Sequence, residues 1–217
     1  MKTKINIPRS PTELKEIESL MSWKKEHDED DFISDFCIMD EEALEAVLYK
    51  TEFSSGKFKR CRFTNSNFNK TSFVDVVFEN CDFSNSSFSE AYFCRCEFRN
   101  CKCLGADFCQ VRLKHVSFAD CVFRYANLNG AFFEFVHMMQ CDFTETAMSE
   151  IAHKKWSAKD CQFVETNFFR TMLRGFDLSE NEMADLVVSD TMEEMKGCKI
   201  SPVQALEAAK LLGMEVL

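Results

Sequence analysis

At 217 residues, with 46% hydrophobic residues, 3 Pro and 6 Gly, the chain is long enough to bury one core and is not composed like a disordered protein. A net charge of −10 is set against a general nucleic-acid binder, and no apolar run approaches the roughly 18 residues of a membrane span. The polar start has no signal-peptide character, so a cytoplasmic location is expected despite the 12 Cys.

Residues 1–45 do not repeat and are expected to form an N-terminal cap. Ser10-Pro11-Thr12-Glu13 is a capping box with Pro at the first helical position. Leu14, Ile17, Leu20 and Met21 then share one helical face, which predicts a helix over about 11–25. An acidic stretch runs from Glu26 to Asp31. Residues 31–50 read either as a degenerate first coil, since Ile33, Ile38 and Leu48 keep the phase found downstream, or, over Glu41–Tyr49, as a short helix. Either covers the end of a core whose bare β-edge would invite aggregation.

From Phe53 to Met148 every fifth residue is apolar; fifteen of these twenty are Phe, and the rest are Cys103, Leu113, Leu128, Met138 and Met148. A period of five fits neither a helix nor a flat strand. It fits a chain that turns a corner every five residues and points the apolar side chain at an axis. Two residues before each stands a small side chain, and its type recurs at 20: Cys61, Cys81, Cys101, Cys121, Cys141 and Cys161 form one column, Ser66, Ser86, Ala106, Ala126, Thr146 and Thr166 another. Four pentads therefore close one square coil, and coils stack at about 4.8 Å. Each coil buries what its neighbour leaves open. The Cys column is then a wall of small hydrophobes, spaced too widely to bridge. The prediction for 46–190 is an all-β solenoid of about seven 20-residue coils. At 149–160 the inward pairs become Ile151/His153 and Trp156/Ala158, large where small belongs and small where Phe belongs, so a bend or irregular coil is expected before the phase returns at Cys161/Phe163.

In 191–217, Ser201-Pro202 opens an Ala/Leu-rich helix to about Leu212, Gly213 stops it, and Met214–Leu217 reads as a short strand. Leu206, Leu211, Leu212, Met214 and Val216 offer more apolar surface than one cap hides, which predicts a homodimer through this end.

Pentads such as Ala126-Asn127-Leu128-Asn129-Gly130 and Ala106-Asp107-Phe108-Cys109-Gln110 run small, polar, Phe or Leu, polar, polar. On these the chain resembles the pentapeptide-repeat proteins over roughly 46–190, and the resemblance implies a right-handed quadrilateral β-helix. The tail, Met195 to Ile200 and Leu211 to Val216, is similar to that of the quinolone-resistance members, in which it makes a twofold dimer. That resemblance implies a bacterial DNA mimic that engages a type II topoisomerase, DNA gyrase or topoisomerase IV, and modulates quinolone sensitivity. The first 50 residues depart from that subgroup.

No catalytic constellation assembles. His27, His115, His137 and His153 have no Ser/Asp or metal-ligand partner in motif spacing. Cys94/Cys96 and Cys101/Cys103 place thiols in a packed wall, with Cys94 outward, which does not suit zinc. No enzyme, metal or cofactor is expected, and attention passes to the outer surface. Residues 1–50 carry −6, 51–190 carry −3 and 191–217 carry −1. Sorted modulo 20, two adjacent sides are acidic and one is basic, the latter holding Arg95, Arg112, Lys114, Lys154, Lys155 and Arg174. The acidic candidates for a partner-binding face are Glu79, Asp82, Glu97, Asp120, Asp142, Glu145, Asp160 and Glu165. The reading that follows is a non-enzymatic scaffold with a protein partner, and beside it stands the DNA-mimicking rod; the acid balance disfavours direct nucleic-acid binding, and no membrane is implied.

Overall fold

A left-handed residue turns an extended chain, and here one occurs every five residues. In the computed structural model, which describes residues 5–9, 13–26 and 31–215, every fifth residue from Asp35 to Gly175 has φ between 51° and 79°. Between corners the backbone is extended, so two residues spaced by two both face the axis. Phe73, Phe78, Phe83 and Phe88, one coil's set, are at most 1% exposed. Four corners close a coil and residue i lies over i + 20.

In coils two to seven two sides form one strand that continues through a corner. In chain order the elements are β1 (Lys15–Ile17), α1 (Leu20–Glu26), β2 (Phe32–Ser34), β3 (Phe36–Met39), β4 (Glu52–Lys59), β5 (Ser72–Glu79), β6 (Tyr92–Arg99), β7 (Arg112–Ala119), β8 (Phe132–Met139), β9 (Ala152–Lys159), β10 (Gln162–Val164), β11 (Glu182–Ala184) and α2 (Pro202–Leu211), with a 3-10 turn at Glu193–Met195. All pairings are parallel, and from β4 to β9 each strand is in register with the next at 20 residues, as in Phe58↔Phe78↔Phe98. The other two sides join through single parallel bridges such as Asp82↔Lys102 and Ser87↔Asp107. Hydrogen bonds run along the axis: Ser72 N donates to Thr51 O in the coil below (3.0 Å) and Asn80 N to Arg99 O in the coil above (2.9 Å). The solenoid expected from the five-residue period is the fold.

The coil count is eight, from 31–50 to 171–190. Residues 31–50 are the first coil, because Glu42 and Val47 bridge to Arg62 and Asn67 while Ala43, Ala46 and Leu48 fill the axis. The alternative helix over Glu41–Tyr49 would have turned Leu48 away from Ala43 and Ala46.

Phe columns dominate the lower core. Phe58, Phe78 and Phe98 stack at 5.3 and 4.4 Å. They meet the next column edge-on, as Phe73 meets Phe78 at 5.3 Å and 73°, which is the favourable arrangement of aromatic quadrupoles. Most inward hydroxyls are satisfied by carbonyls of the coil below, as Thr71 Oγ1 donates to Leu48 O (2.7 Å) and Thr166 Oγ1 to Phe143 O (2.8 Å), whereas the buried Thr51 Oγ1 has no partner among the described residues. Inward thiols copy them at longer range, as in Cys121 Sγ to Phe98 O (3.6 Å). Burial pushes the Cys96 and Cys103 thiols up, which keeps them protonated.

Three local expectations are corrected. The helix foreseen over 11–25 is shorter: Lys15–Ile17 is β1, paired with Phe36–Ile38, and the helix begins at Leu20. The open edge of the first coil claims those backbone groups, a tertiary pairing that outweighs helix propensity; the Ser10–Thr12 part of the capping box and most of the Glu26–Asp31 acidic stretch lie outside the described residues. The bend expected at 149–160 does not form. There β9 keeps the register, with Phe133↔His153 and Val136↔Trp156, because Trp156 lies inward (6% exposed) against Phe133, Phe168 and Phe176 and replaces the volume missing at Ala158. Finally, the N–H groups of Gly213 and Met214 fold back to Lys210 O and Ala209 O (2.8 and 3.1 Å), a helix-ending turn. Met214 and Glu215 therefore make no strand, and 216–217 lie outside the described residues.

Both ends are closed. At the bottom Leu20 is buried and Glu41 accepts from Leu20 N (3.3 Å) and Ser19 Oγ (3.2 Å). At the top Gln204 of α2 donates to Leu178 O (2.8 Å) and Asn181 O (2.6 Å). Glu194, 1% exposed, accepts from Arg170 N (2.8 Å) and from Ser189 N and Oγ (3.2 and 2.7 Å). Burial alone would raise the Glu194 pKa, but these donors hold it below the usual carboxylate range. Among the described residues no helix is long and apolar enough to cross a membrane.

Candidate functional site

Corner side chains point away from the axis, so charges repeated at 20 stand in vertical rows about 4.8 Å apart. In the third coil the four sides are I (70–75), II (75–80), III (80–85) and IV (85–90). What each row contains decides whether its charges cancel.

In the lower coils many of them pair, although Glu45, in the row of Glu145 and Glu165, forms no ion pair among the described residues. Arg60 makes two hydrogen bonds to Asp40 (2.7 and 2.6 Å), Arg62 pairs with Glu42 (3.2 Å), and Lys70 with Glu90 (3.5 Å). Of the sequence-predicted acidic face, Glu79 is held by Lys57 and by Lys59 (3.6 Å), Glu97 by Arg99, and Asp82 accepts from Ser84 N and Oγ (3.0 and 2.6 Å). These three are neutralised or engaged in turns and do not join the others. Lys57 is the main reason that Glu79 titrates below its ordinary range.

In the upper coils the carboxylates gather. Side III of coils six to eight (140–145, 160–165 and 180–185) carries Asp142, Glu145, Asp160, Glu165, Glu180, Glu182 and Asp185 and not one Lys or Arg. Asp120 stands one coil below Gln140 and two below Asp160 in the same corner row, exposed. Flanking cations reach two: Arg124 to Asp142 (3.4 Å) and Lys159 to Glu180 (3.7 Å). Asp120, Glu145, Asp160, Glu165 and Glu182 form no ion pair among the described residues. The panel frames a shallow depression of about 300 Å³ lined by Gln140, Cys141, Asp142, Asp160 and Gln162. Five predicted residues thus come together, and Glu180, Glu182 and Asp185 join them. Their positions modulo 20 carried that signal.

Seven carboxylates over three coils, about 14 Å of axis at strand spacing, is about one charge per 2 Å. Duplex DNA presents about one per 1.7 Å. Side III approaches that density here when Arg124 and Lys159 are left out of the count, and does not in its lower five coils.

The other surfaces differ. Residues 5–9 lie along the corner between sides I and II, where Arg9 N donates to Asp75 Oδ1 (3.0 Å) and Asn6 N to His115 Nδ1 (3.4 Å). Asp75 is itself buried and gripped by Arg95 through Nε and Nη2 (2.6 Å each). Burial would raise its pKa, but Arg95 and the Arg9 N–H hold it below the carboxylate range. Burial, then Lys114, depresses His115. Cys94, expected outward, is 7% exposed beneath Arg95, whose Nη1 lies 3.4 Å from its sulfur. At the tower's top Leu206, Leu212 and Met214 are 49–59% exposed, whereas Leu211 packs partly on the core; Val216 lies outside the described residues. Among the described residues no group of three or more His, Cys, Asp or Glu is placed to hold a metal.

The pentapeptide-repeat family model matches in eight copies over residues 46–85, 77–114 and 117–151. No curated protein matches the chain in sequence. Among solved structures, a trypsin-treated variant of QnrB1, a plasmid-mediated fluoroquinolone resistance protein, is 20% identical with a TM-score of 0.52, covering 83% of this chain and 91% of that one. HetL, a pentapeptide-repeat protein involved in heterocyst differentiation regulation from the cyanobacterium Nostoc sp. strain PCC 7120, is 13% identical with a TM-score of 0.47, covering 84% and 94%.

Proposed function

The chain belongs to the pentapeptide-repeat family, and from that premise we propose that it is a non-catalytic scaffold whose side III, in coils six to eight, docks a Lys/Arg-rich surface of a partner protein. The observation that carries this is the corner row Glu145, Glu165 and Asp185, like charges stacked in a rigid wall, of which Glu145 and Glu165 form no ion pair among the described residues while Asp185 feels the charge of Lys210. A fold gains nothing from such a row, and a cationic partner does. Rigid docking also costs little ordering. The test is affinity capture and titration with the triple variant Glu145→Lys, Glu165→Lys, Asp185→Lys. Salt-sensitive partners held by the wild type should be lost by the variant while its thermal midpoint is kept; equal capture by both removes this surface.

The local match to the charge density of duplex DNA favours one specific partner class, a type II topoisomerase whose DNA-binding surface is built for phosphates. The likeness to QnrB1 supports the fold that such a rod needs and no more. Purified protein added to a gyrase supercoiling reaction, with and without ciprofloxacin, should inhibit or protect, and the triple variant should do neither. No effect of the wild type at tenfold excess ends this reading and leaves the scaffold standing. The exposed Leu206, Leu212 and Met214 support a homodimer through the top of the tower. Leu206→Glu with Met214→Glu should then halve the mass measured by light scattering. Twelve free cysteines support a cytoplasmic home.

A further inference from the structure

Side I, opposite the acidic panel, has the reverse character. Its carboxylates are taken: Glu134 pairs with Lys114 (3.6 Å), Glu150 with Arg170 (3.0 Å) and, at the rim, Glu90 with Lys70 (3.5 Å). Its cations Arg112, Lys154, Lys155 and Arg174 have no carboxylate among the described residues. Lys154 and Lys155 lie instead over the rings of Phe132 (6.0 Å) and Phe135 (5.0 Å). Arg112 and Phe132 are neighbours in adjacent strands. They wall an open cleft of about 770 Å³ at the edge of side I. Its gap in the corner row comes from Gly130, where the other coils carry a side chain.

We infer that side I of coils five to eight is a binding surface for single-stranded nucleic acid, with one base in the cleft against Phe132 and the flanking phosphates on Arg112, Lys154 and Arg174. A cleft of this volume suits a small planar ligand. Aromatic rings interleaved with unpaired cations form the pattern that holds single strands, through stacking and charge together. A duplex would offer side I only phosphates and leave Phe132 unused. The whole-chain charge of −10 is not the potential that this side feels. The acidic panel lies across the tower, whose two walls are roughly 10 Å apart before side chains are added. Around the tower the path through solvent is longer, against a Debye length of about 8 Å at physiological salt and about 14 Å at 50 mM, so the panel weakens the potential at side I without reversing it. This inference goes beyond the protein-docking function and uses the opposite side.

The test is fluorescence anisotropy of the full chain with a labelled 20-nucleotide oligo(dT) at about 50 mM salt, repeated with the duplex of that length. The single strand should bind the tighter, with log affinity falling against log salt at a slope near −2 to −3, about 0.7 per cation engaged. Lys154→Glu with Arg174→Glu should flatten the slope and abolish binding at physiological salt. Phe132→Ala should weaken binding roughly tenfold with the slope unchanged. Glu145→Lys with Glu165→Lys should leave the Phe132 effect intact, which separates this result from the fate of side III. No binding at 50 mM salt overturns the inference. So does a Phe132→Ala protein that melts like wild type and binds as well, and so does equal competition by polyglutamate, which would mark an acidic protein segment as the partner.

Discussion

Coils two to five and coils six to eight share one backbone and use it differently. In the lower coils Phe fills nearly every axial position, and charges one coil apart are opposite and paired, as in Asp40 with Arg60 and Asp75 with Arg95. In the upper coils Met138, Met148, Trp156 and Leu173 interrupt the Phe columns. There like charge stands over like, Glu145 below Glu165 below Asp185 on one side and Lys154 below Arg174 on the other. The spacing of rows is the same in both regions, so the difference lies wholly in side-chain choice. In a solenoid, stability is close to a sum of neighbour terms. One region can therefore leave its surface charges unsatisfied without loosening the rest, and that region is where a partner gains most.

The largest break in the comparison comes from the core. Phe78→Ala removes a ring at most 1% exposed that is stacked between Phe58 and Phe98. It should cost about 3–5 kcal/mol, read as a fall in the urea midpoint. Met148→Ala, equally buried but in the upper region, should cost less, because the side chain is not part of a ring stack: it stands between Leu128 and Phe168 in its column. Equal losses would mean that the aromatic columns add nothing beyond their volume.

Asp75→Asn comes next, at about 2 kcal/mol. It removes the charge of a buried pair and turns the oxygen that Arg95 Nη2 donates to into an N–H donor, while the remaining amide oxygen can still accept from Arg9 N; Arg95 keeps 25% of its side chain in water, which moderates the cost. The Asp75 pKa is lowered in the folded state, so its stabilisation is complete above the unfolded value of about 3.9 and is lost as pH falls through the lower folded value. Acid titration of stability below about pH 4 should therefore be shallower in Asp75→Asn than in the wild type. Matching curves would show that the pair is not what acid breaks.

The axial positions were legible because volume and period are local properties of sequence: Phe73 or Cys81 has one place to go once four pentads close. The side of each charge was legible for the same reason. Pairing was not. Glu79 and Glu165 both read as outward carboxylates, and only the side chains around them decide that Lys57 reaches the first and nothing among the described residues reaches the second. The C-terminal helix was legible from Ser201-Pro202 and Gly213, whereas the start of the N-terminal helix was not, because a tertiary edge outweighed the local signal at Lys15–Ile17. The smooth passage at Trp156 was hidden because a large residue two positions early still reaches the same space.

A smaller effect separates the regions at their corners. In the row Asn80, Asn100, Asp120, Gln140, the first three types tolerate the left-handed backbone and Gln140, at φ 53°, does so at a cost. Gln140→Gly should stabilise by about 0.5 kcal/mol, the relief less the added chain entropy. Asn80→Gly should gain nothing. A loss at Gln140 would mean that its side chain contributes to the panel's support.

The smallest effect bears most directly on the acidic panel. Two carboxylates about 4.8 Å apart repel by about 0.9 kcal/mol in bulk water. Side-chain freedom and salt reduce that to a few tenths. Glu165 has a like neighbour on each side, so Glu165→Gln should stabilise the fold by a few tenths of a kcal/mol at about 10 mM salt and by nothing near 1 M, where the screening length is about 3 Å. Arg62→Gln, which abandons Glu42 in the lower coils, should show the opposite sign and the same salt dependence. Urea midpoints of both variants at the two salts give the pair of slopes. If Glu165→Gln destabilises at low salt, Glu165 is held by a cation in solution. The upper region is then as well paired as the lower, and the reason for placing a partner there disappears.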